Sequence, residues 1–318
     1  MTVQPIFIDM YNIFLNPSIT AILFGIAVIV LFTQLQNQKN KILYGIVLFL
    51  LLGCIAFTIY YNSRAVWLGI ATVVSIIIIS KKKVQFTSLQ KKCLIGCFLL
   101  LIIGTFLYKQ NSTSGRLFIY KINALMLQEY WLTGINQPYS VVFNHTQANY
   151  FFNNRTATVQ QKLLASNNYF VLNEWLYIFI HYGIFLFVTT IIATLFLLKI
   201  CFIQLRQSPK KQWAVGIVLF LLIVSLVSYP FSFDLYVFIF LGCVLYIVKD
   251  SSLIPIQIKE LFFYTLFIGL IIGYTYNTCK TVLAEQKKRE VTNLFRVGYI
   301  NQALTKALDI KNTTSILI

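Results

Sequence analysis

Arg64, Arg116, Glu174 and His181 are the residues whose types and positions best suit chemistry, because each stands at the edge of, or just inside, an apolar segment. A guanidinium on a rigid helix end suits a phosphate, which it can grip through paired N–H donors. Arg64 follows Asn62-Ser63 and opens one apolar run. Arg116 follows Gly115 and opens an amphipathic one, where a helix N-terminus would add its own positive potential. Two arginines far apart in sequence but on one side of a membrane suit a pyrophosphate. Each also has a plainer reading, Arg64 as a snorkelling interfacial arginine and Arg116 as an ordinary residue of a polar face.

Glu174 and His181 lie seven residues apart at the start of the longest apolar run. Two helical turns put them on one face, with His181 about 10 Å deeper. An ionisable side chain inside a membrane span is a functional candidate by default; a capping glutamate and a hydrogen-bonded packing histidine are the alternatives. Asp234, after Pro230, is either an arginine's partner or a solvated turn residue. Tyr130, Trp131, Tyr139 and Tyr150 can stack on sugar rings or form an interfacial aromatic belt.

The elements that must position these residues are membrane helices. Of the 318 residues 58% are hydrophobic and only 11% charged, more apolar surface than a soluble domain can hide. Eight segments are candidate spans near the length a bilayer requires: Pro17–Gln34, Ile42–Tyr61, Ala65–Ser80, Cys93–Tyr108, Glu174–Ile200, Trp213–Ser228, Phe231–Val248 and Leu261–Thr278, with Ala65–Ser80 slightly short and Glu174–Ile200 slightly long. The expected fold is therefore an all-α integral membrane protein with about eight transmembrane helices and one large extracytoplasmic loop. No basic segment precedes the first span, so no cleavable signal peptide is expected.

A net charge of +17 would raise the question of nucleic acid in a soluble protein, but here the charges sort by topology and no nucleic-acid partner is expected. Lys39 and Lys41, Lys81–Lys83 with Lys91 and Lys92, Lys199, Arg206, Lys210 and Lys211, and Lys249 and Lys259 fall in alternate connectors, which the positive-inside rule assigns to the cytoplasm. That leaves Ser63–Arg64, the long loop and Tyr229–Asp234 on the outer face. The basic tail after Lys280 would also lie outside, against the pattern. Cys54, Cys93, Cys97, Cys201, Cys243 and Cys279 sit in or beside spans without ligand spacing, so packing roles are expected and no metal site.

The loop, residues 109–173, is the single long polar stretch between spans. Lys109–Arg116 reads as a turn-rich entry. Leu117, Tyr120, Ala124, Leu127 and Trp131 recur at helical spacing and predict an amphipathic helix at the membrane surface, stopped by Thr133-Gly134. Polar chain is expected from there to about Ala165. Residues 281–318 read as a short helical tail after a membrane domain of residues 1–280. Phe295–Leu304 is similar to the start of a tetratricopeptide helix pair, without the neighbours such a unit stacks on.

Taken in order, Phe14-Leu-Asn-Pro-Ser18, Asn62-Ser-Arg-Ala-Val-Trp67, Ser114-Gly-Arg-Leu-Phe-Ile-Tyr-Lys121 with Trp131-Leu-Thr-Gly134, Gln147-Ala-Asn-Tyr-Phe151, Asn173-Glu-Trp-Leu176 and Gly183-Ile184 resemble the O-antigen ligase and polymerase family of membrane glycosyltransferases, in its Bacteroidetes-type branch. The resemblance implies a glycosyltransferase C-like helix bundle in the bacterial inner membrane, multi-pass, with its active face in the periplasm. It implies transfer of a glycan from an undecaprenyl-pyrophosphate carrier to a hydroxyl of lipid A-core, a glycan or a protein, in surface polysaccharide biosynthesis, without metal or cofactor. Arg64 and Arg116 match the family's carrier-binding arginines, Asn173 and Trp131 join them as substrate-binding candidates, and Glu174 and His181 become the catalytic candidates. Three departures stand out. Leu172 occupies the place where many ligases have histidine, His181 the place of a usual glutamate, and only a short stub precedes the Asn-Pro motif, which implies truncation at the N-terminus and in the tetratricopeptide extension. A transporter or flippase of a lipid-linked or anionic substrate, and an inactive truncated member, are the competing readings.

Overall fold

The computed structural model describes residues 16–80, 110–135, 137–154, 171–249, 290–294, 299–302 and 305. The expected spans Cys93–Tyr108 and Leu261–Thr278, and most of the expected tail helix, lie outside these residues. The chain forms two compact units, one of Asn12–Ile135 and Tyr139–Leu253, the other of Met1–Tyr11, Asn136–Pro138 and Ile254–Ile318. In the second, residues 290–294 and 300–302 are helical.

The first unit contains, among the described residues, α1 (Pro17–Asn37), α2 (Lys41–Tyr61), α3 (Arg64–Ser80), α4 (Gln110–Tyr130), α5 (Tyr139–Asn153), α6 (Glu174–Gln207), α7 (Gln212–Ser225) and α8 (Asp234–Lys249), with 3-10 turns at Pro209–Lys211 and Pro230–Ser232. Three helices, α1, α2 and α6, are long and apolar enough to cross a membrane by length and composition, and α3 is a shorter apolar helix. The short links are built from caps. Asn16 precedes Pro17, and its side chain accepts from the Ser18 N–H while its Nδ2 donates to the Tyr229 hydroxyl at 3.1 Å. Asn62 ends α2 in the left-handed region at φ 49°, a conformation asparagine tolerates, and α3 starts two residues later.

α7 is the centre of the bundle. It is apolar all round and buried on nearly every side, packed by α1, α3, α6 and α8. Glycines let these backbones approach: the Phe220 ring, fully buried, lies over both Gly25 of α1 and Gly69 of α3. A Cβ on Gly25 would sit 2.4 Å from Phe220 Cζ, and one on Gly69 2.8 Å from the same ring. Gly25→Ala is expected to lower stability by about 2 kcal/mol through overpacking. Phe220→Leu should relieve part of that loss, measured as coupling in a double-mutant cycle of thermal unfolding.

α1 and α7 run antiparallel, with Gly25 and Ile29 of α1 against Phe220 and Gly216 of α7, and the bundle has a lysine end and an arginine end. Lys39, Lys41, Lys199, Arg206, Lys210, Lys211 and Lys249 belong to the first, where the buried Lys211 ammonium donates to the Ile247 carbonyl at 3.2 Å. The second gathers Asn16, Asn62–Arg64, Arg116, Asn173–Glu174 and the connector 226–233.

The loop departs from expectation in three ways. The segment expected to be a turn-rich entry is helical from Gln110, so Arg116 lies in the second turn of α4 and not at its start. The expected apolar face is largely the wrong one: Leu117, Ala124 and Trp131 are exposed, whereas Phe118, Ile119, Ile122 and Met126 are buried. They pack on α5, a helix where irregular polar chain was expected, through Tyr139, Val142, Phe143 and Tyr150. Ile135, Val171 and Ile180 complete this second core, so the described residues of the loop form a small packed layer. Two of the expected spans are shortened: α8 begins at Asp234 because Phe231-Ser232 belong to a 3-10 turn, and α7 ends at Ser225.

Candidate functional site

The arginine end is organised around the end of α7. A helix leaves its last carbonyls without partners, and side chains from two separate segments converge on this end. Arg116 Nη1 donates to the Val227 carbonyl at 2.7 Å, Asn173 Nδ2 to the Leu226 carbonyl at 2.7 Å, and the Trp175 indole to the Ser225 hydroxyl at 3.0 Å. A positive side chain at a helix C-terminus is also favoured by the helix dipole. One guanidinium edge of Arg116 is thus spent on structure, and part of the potential expected from a helix start is absent.

Arg64 begins α3, one residue before its apolar run. Partial burial, then the nearby Arg116 charge, hold its guanidinium below the ordinary arginine range. The fold therefore brings the two predicted arginines together from segments more than fifty residues apart. Two like charges side by side repel, and a dianion seated beside them turns that repulsion into attraction. Tyr120, one turn along α4 from Arg116, feels the same charge, which opposes the rise that burial imposes on its hydroxyl.

Asn173 is fully engaged. Its Oδ1 accepts from the Leu176 N–H at 3.0 Å, capping α6, while its Nδ2 holds α7. The residue before it, Leu172, has φ 61°, a left-handed conformation costing a leucine about 1–2 kcal/mol. Glu174, 5% exposed, accepts from the Ser232 N–H at 2.9 Å and lies 3.4 Å from its hydroxyl, fastening the 3-10 turn before α8. Asp234 is exposed at the first position of α8.

His181 has different neighbours from Glu174. Its ring stacks on Tyr177 at 4.6 Å, and its buried Nδ1 has no hydrogen-bond partner. Two residues further, α6 breaks at Gly183 (φ 74°, ψ −175°). The segment after α4 fills the break: Ile135 N–H donates to the Ile180 carbonyl and Ile184 N–H to the Trp131 carbonyl, both at 2.9 Å. Gly134 and Gly183 face one another so closely that a Cβ on either would meet backbone at 2.3 and 2.2 Å. Trp131-Leu-Thr-Gly134 and Gly183-Ile184, distant in sequence, are thereby the two halves of one joint. The Trp131 side chain remains 51% exposed. Of the other aromatics read as sugar-stacking or interfacial-belt residues, Tyr139 and Tyr150 are buried. Tyr139 donates to Asn123 Oδ1 at 2.8 Å, and Tyr150 accepts from Lys121 Nζ at 2.8 Å.

Beside the arginine end lies an open cleft of about 290 Å³ between α4 and α6, lined by Tyr120, Asn173, Trp175, Leu176, Phe179 and Phe187. Its walls are almost wholly apolar, and it runs along α6 past the Gly183 break. Sequence reasoning missed Trp175, Phe179 and Phe187 as lining residues. Their spacing along α6 was the available signal, but in an apolar segment it is indistinguishable from lipid-facing surface. No protein-family model, curated protein or solved structure matches the chain.

Proposed function

We propose that this protein is a membrane glycosyltransferase of the O-antigen ligase and polymerase type, moving a glycan from an undecaprenyl-pyrophosphate carrier to an acceptor hydroxyl. The observation that carries the reading is the adjacency of Arg64 and Arg116 at one end of the bundle, next to the apolar cleft. In this reaction the acceptor oxygen attacks the anomeric carbon and the bond from that carbon to phosphate oxygen breaks. Charge then develops on the departing pyrophosphate, where two guanidinium groups lower the barrier. The cleft walls suit the carrier's isoprenoid chain. The acceptor proton needs a base; His181, with its Nδ1 unpartnered, and Glu174 are the imidazole and the carboxylate of α6 on this side of the break. The lysine end lies in the cytoplasm under the positive-inside rule, with the arginine end in the periplasm. The acceptor is lipid A-core, another glycan or a protein.

Arg64→Ala and Arg116→Ala are expected to abolish transfer, at least a hundredfold each by the scale of lost charge stabilisation. Arg116→Lys separates binding from bracing: it keeps a donor and a charge at Val227 but loses the bidentate grip. Folded protein with wild-type transfer in the alanine variants would sink the assignment. The polysaccharide profile of a deletion strain identifies the reaction. Glycan of a single repeat means a polymerase, long unattached glycan a ligase, and an unchanged profile an inactive chain. The break in α6 is the feature that favours a transporter or flippase, since such proteins bind substrate at interrupted helices. Here the chain itself occupies the break, with backbone groups at Ile180 and Ile184 paired to residues 131–135, which weighs against a substrate there.

A further inference from the structure

The part of α6 that follows the Gly183 break, residues 184–207, is about 36 Å long at the usual helical rise, enough to cross the roughly 30 Å of a bilayer's hydrocarbon core. The surface of α6 changes character at the break. From Glu174 to His181 no residue is exposed, because α4, α5 and the α7 end wrap this part. From Tyr182 onward a band of apolar side chains is bare, with Tyr182 50% and Phe185 73% exposed, and it continues through Ile192, Leu195 and Phe196 to Phe202. Counting about 30 Å down from Gly183 reaches a point between Lys199 and Arg206, the basic residues of the lysine end.

The joint fixes what lies beside α6 at that upper level. Because the Trp131 carbonyl is bonded to Ile184 N–H and the Leu132 carbonyl abuts Gly183, the exposed Trp131 and Leu132 (51% and 43%) stand at the height of Tyr182 and Phe185. Their bare surface continues that of a helix suited to cross the membrane. Tryptophan and tyrosine, apolar with one polar handle, are the side chains that settle where acyl chains meet headgroups. We propose that the Trp131–Leu132 tip is inserted into the lipid interface, and that the outer boundary of the hydrocarbon runs through the Gly183 break. The α4–α5 layer then rests on the bilayer surface, pinned by this tip. The inference does not depend on the transferase reading.

Trp131 is its own probe. Emission of the native chain minus that of Trp131→Phe isolates Trp131, and the substitution touches only an exposed ring. In phosphatidylcholine vesicles, lipids brominated near the headgroup end of the acyl chain should remove most of this difference emission. Iodide present on both sides of the membrane should leave it nearly unchanged. Strong iodide quenching with little effect of brominated lipid would overturn the proposal, as expected of a ring that waits in water for a sugar. Protection from both quenchers would overturn it too, because it would place the ring against protein or a second copy. Leu132→Trp in the Trp131→Phe background gives an independent reading at the neighbouring position and should show the same pattern.

Discussion

Gly183→Ala is expected to destabilise the protein by about 4 kcal/mol, among the largest effects of any single substitution in this chain. At φ 74° and ψ −175° the backbone occupies a region open essentially to glycine alone. The added Cβ would stand 2.2 Å from the Leu132 carbonyl oxygen and 2.7 Å from its carbon. Neither atom can swing aside as a side chain would, because the segment 131–135 is held by backbone bonds at both ends of the contact. Relief requires breaking Ile135–Ile180 and Ile184–Trp131 together. Gly134→Ala, at φ 77° and 2.3 Å from the His181 carbonyl oxygen, should cost a similar amount. The two losses should fall short of additive, since either opens the same joint. Thermal unfolding in detergent and proteolysis at residues 131–135 are the measurements. A melting temperature within a degree or two of the native value for Gly183→Ala would mean that the joint is not formed.

Glu174→Ala is expected to cost about 3 kcal/mol. Truncation leaves the Ser232 N–H without its partner in a site only 5% exposed, and the turn that aims α8 loses its fastening. Glu174→Gln keeps an acceptor of the same shape and should cost about 1 kcal/mol. The pair also separates two roles for this side chain. A group that removes a proton loses its rate with the amide, whereas a brace keeps it. The hydrogen-bonded setting favours the brace, so the expected result is that the glutamine variant retains glycan transfer while the alanine variant loses it through misfolding. Loss of transfer in well-folded Glu174→Gln would instead make Glu174 the base and leave His181 a packing residue.

The helices long and apolar enough to cross a membrane, α1, α2 and α6, were legible because the hydrophobic requirement of a span is written continuously along the chain. Asn16-Pro17, Asn62 and Asn173 were visible as punctuation for the same reason that they act as caps. Sorting the basic connectors led to the expectation that Arg64, Arg116, Asn173 and Glu174 share one side, and their contacts with one another and with residues 226–232 gather them at one end. What escaped was whatever depends on a partner. Leu117, Tyr120, Ala124, Leu127 and Trp131 form as good a helical stripe as Phe118, Ile119, Ile122 and Met126 do, and only α5 decides which one is buried. α5 itself is polar enough to read as loop, although Tyr139, Val142, Phe143 and Tyr150 carry the spacing. The break at Gly183 was invisible because glycine inside an apolar run is common in membrane helices, and its meaning lies fifty residues away in Gly134. Arg116 as a cap for α7 could not be read without knowing where Val227 lies.

The second core has a consequence for biogenesis. Phe118, Ile122 and Met126 are made well before Ile180, which closes the cluster from the first turns of α6. Under the proposed topology, the α4–α5 pair would therefore emerge on the far side of the membrane with an open apolar face, and stay so until α6 begins to insert. Its completion waits on a transmembrane segment that follows it in the chain, a non-local contact of the kind that slows folding. Quality-control proteases on that side would meet this layer as the last part to become resistant, and any substitution that delays α6 would be felt there first.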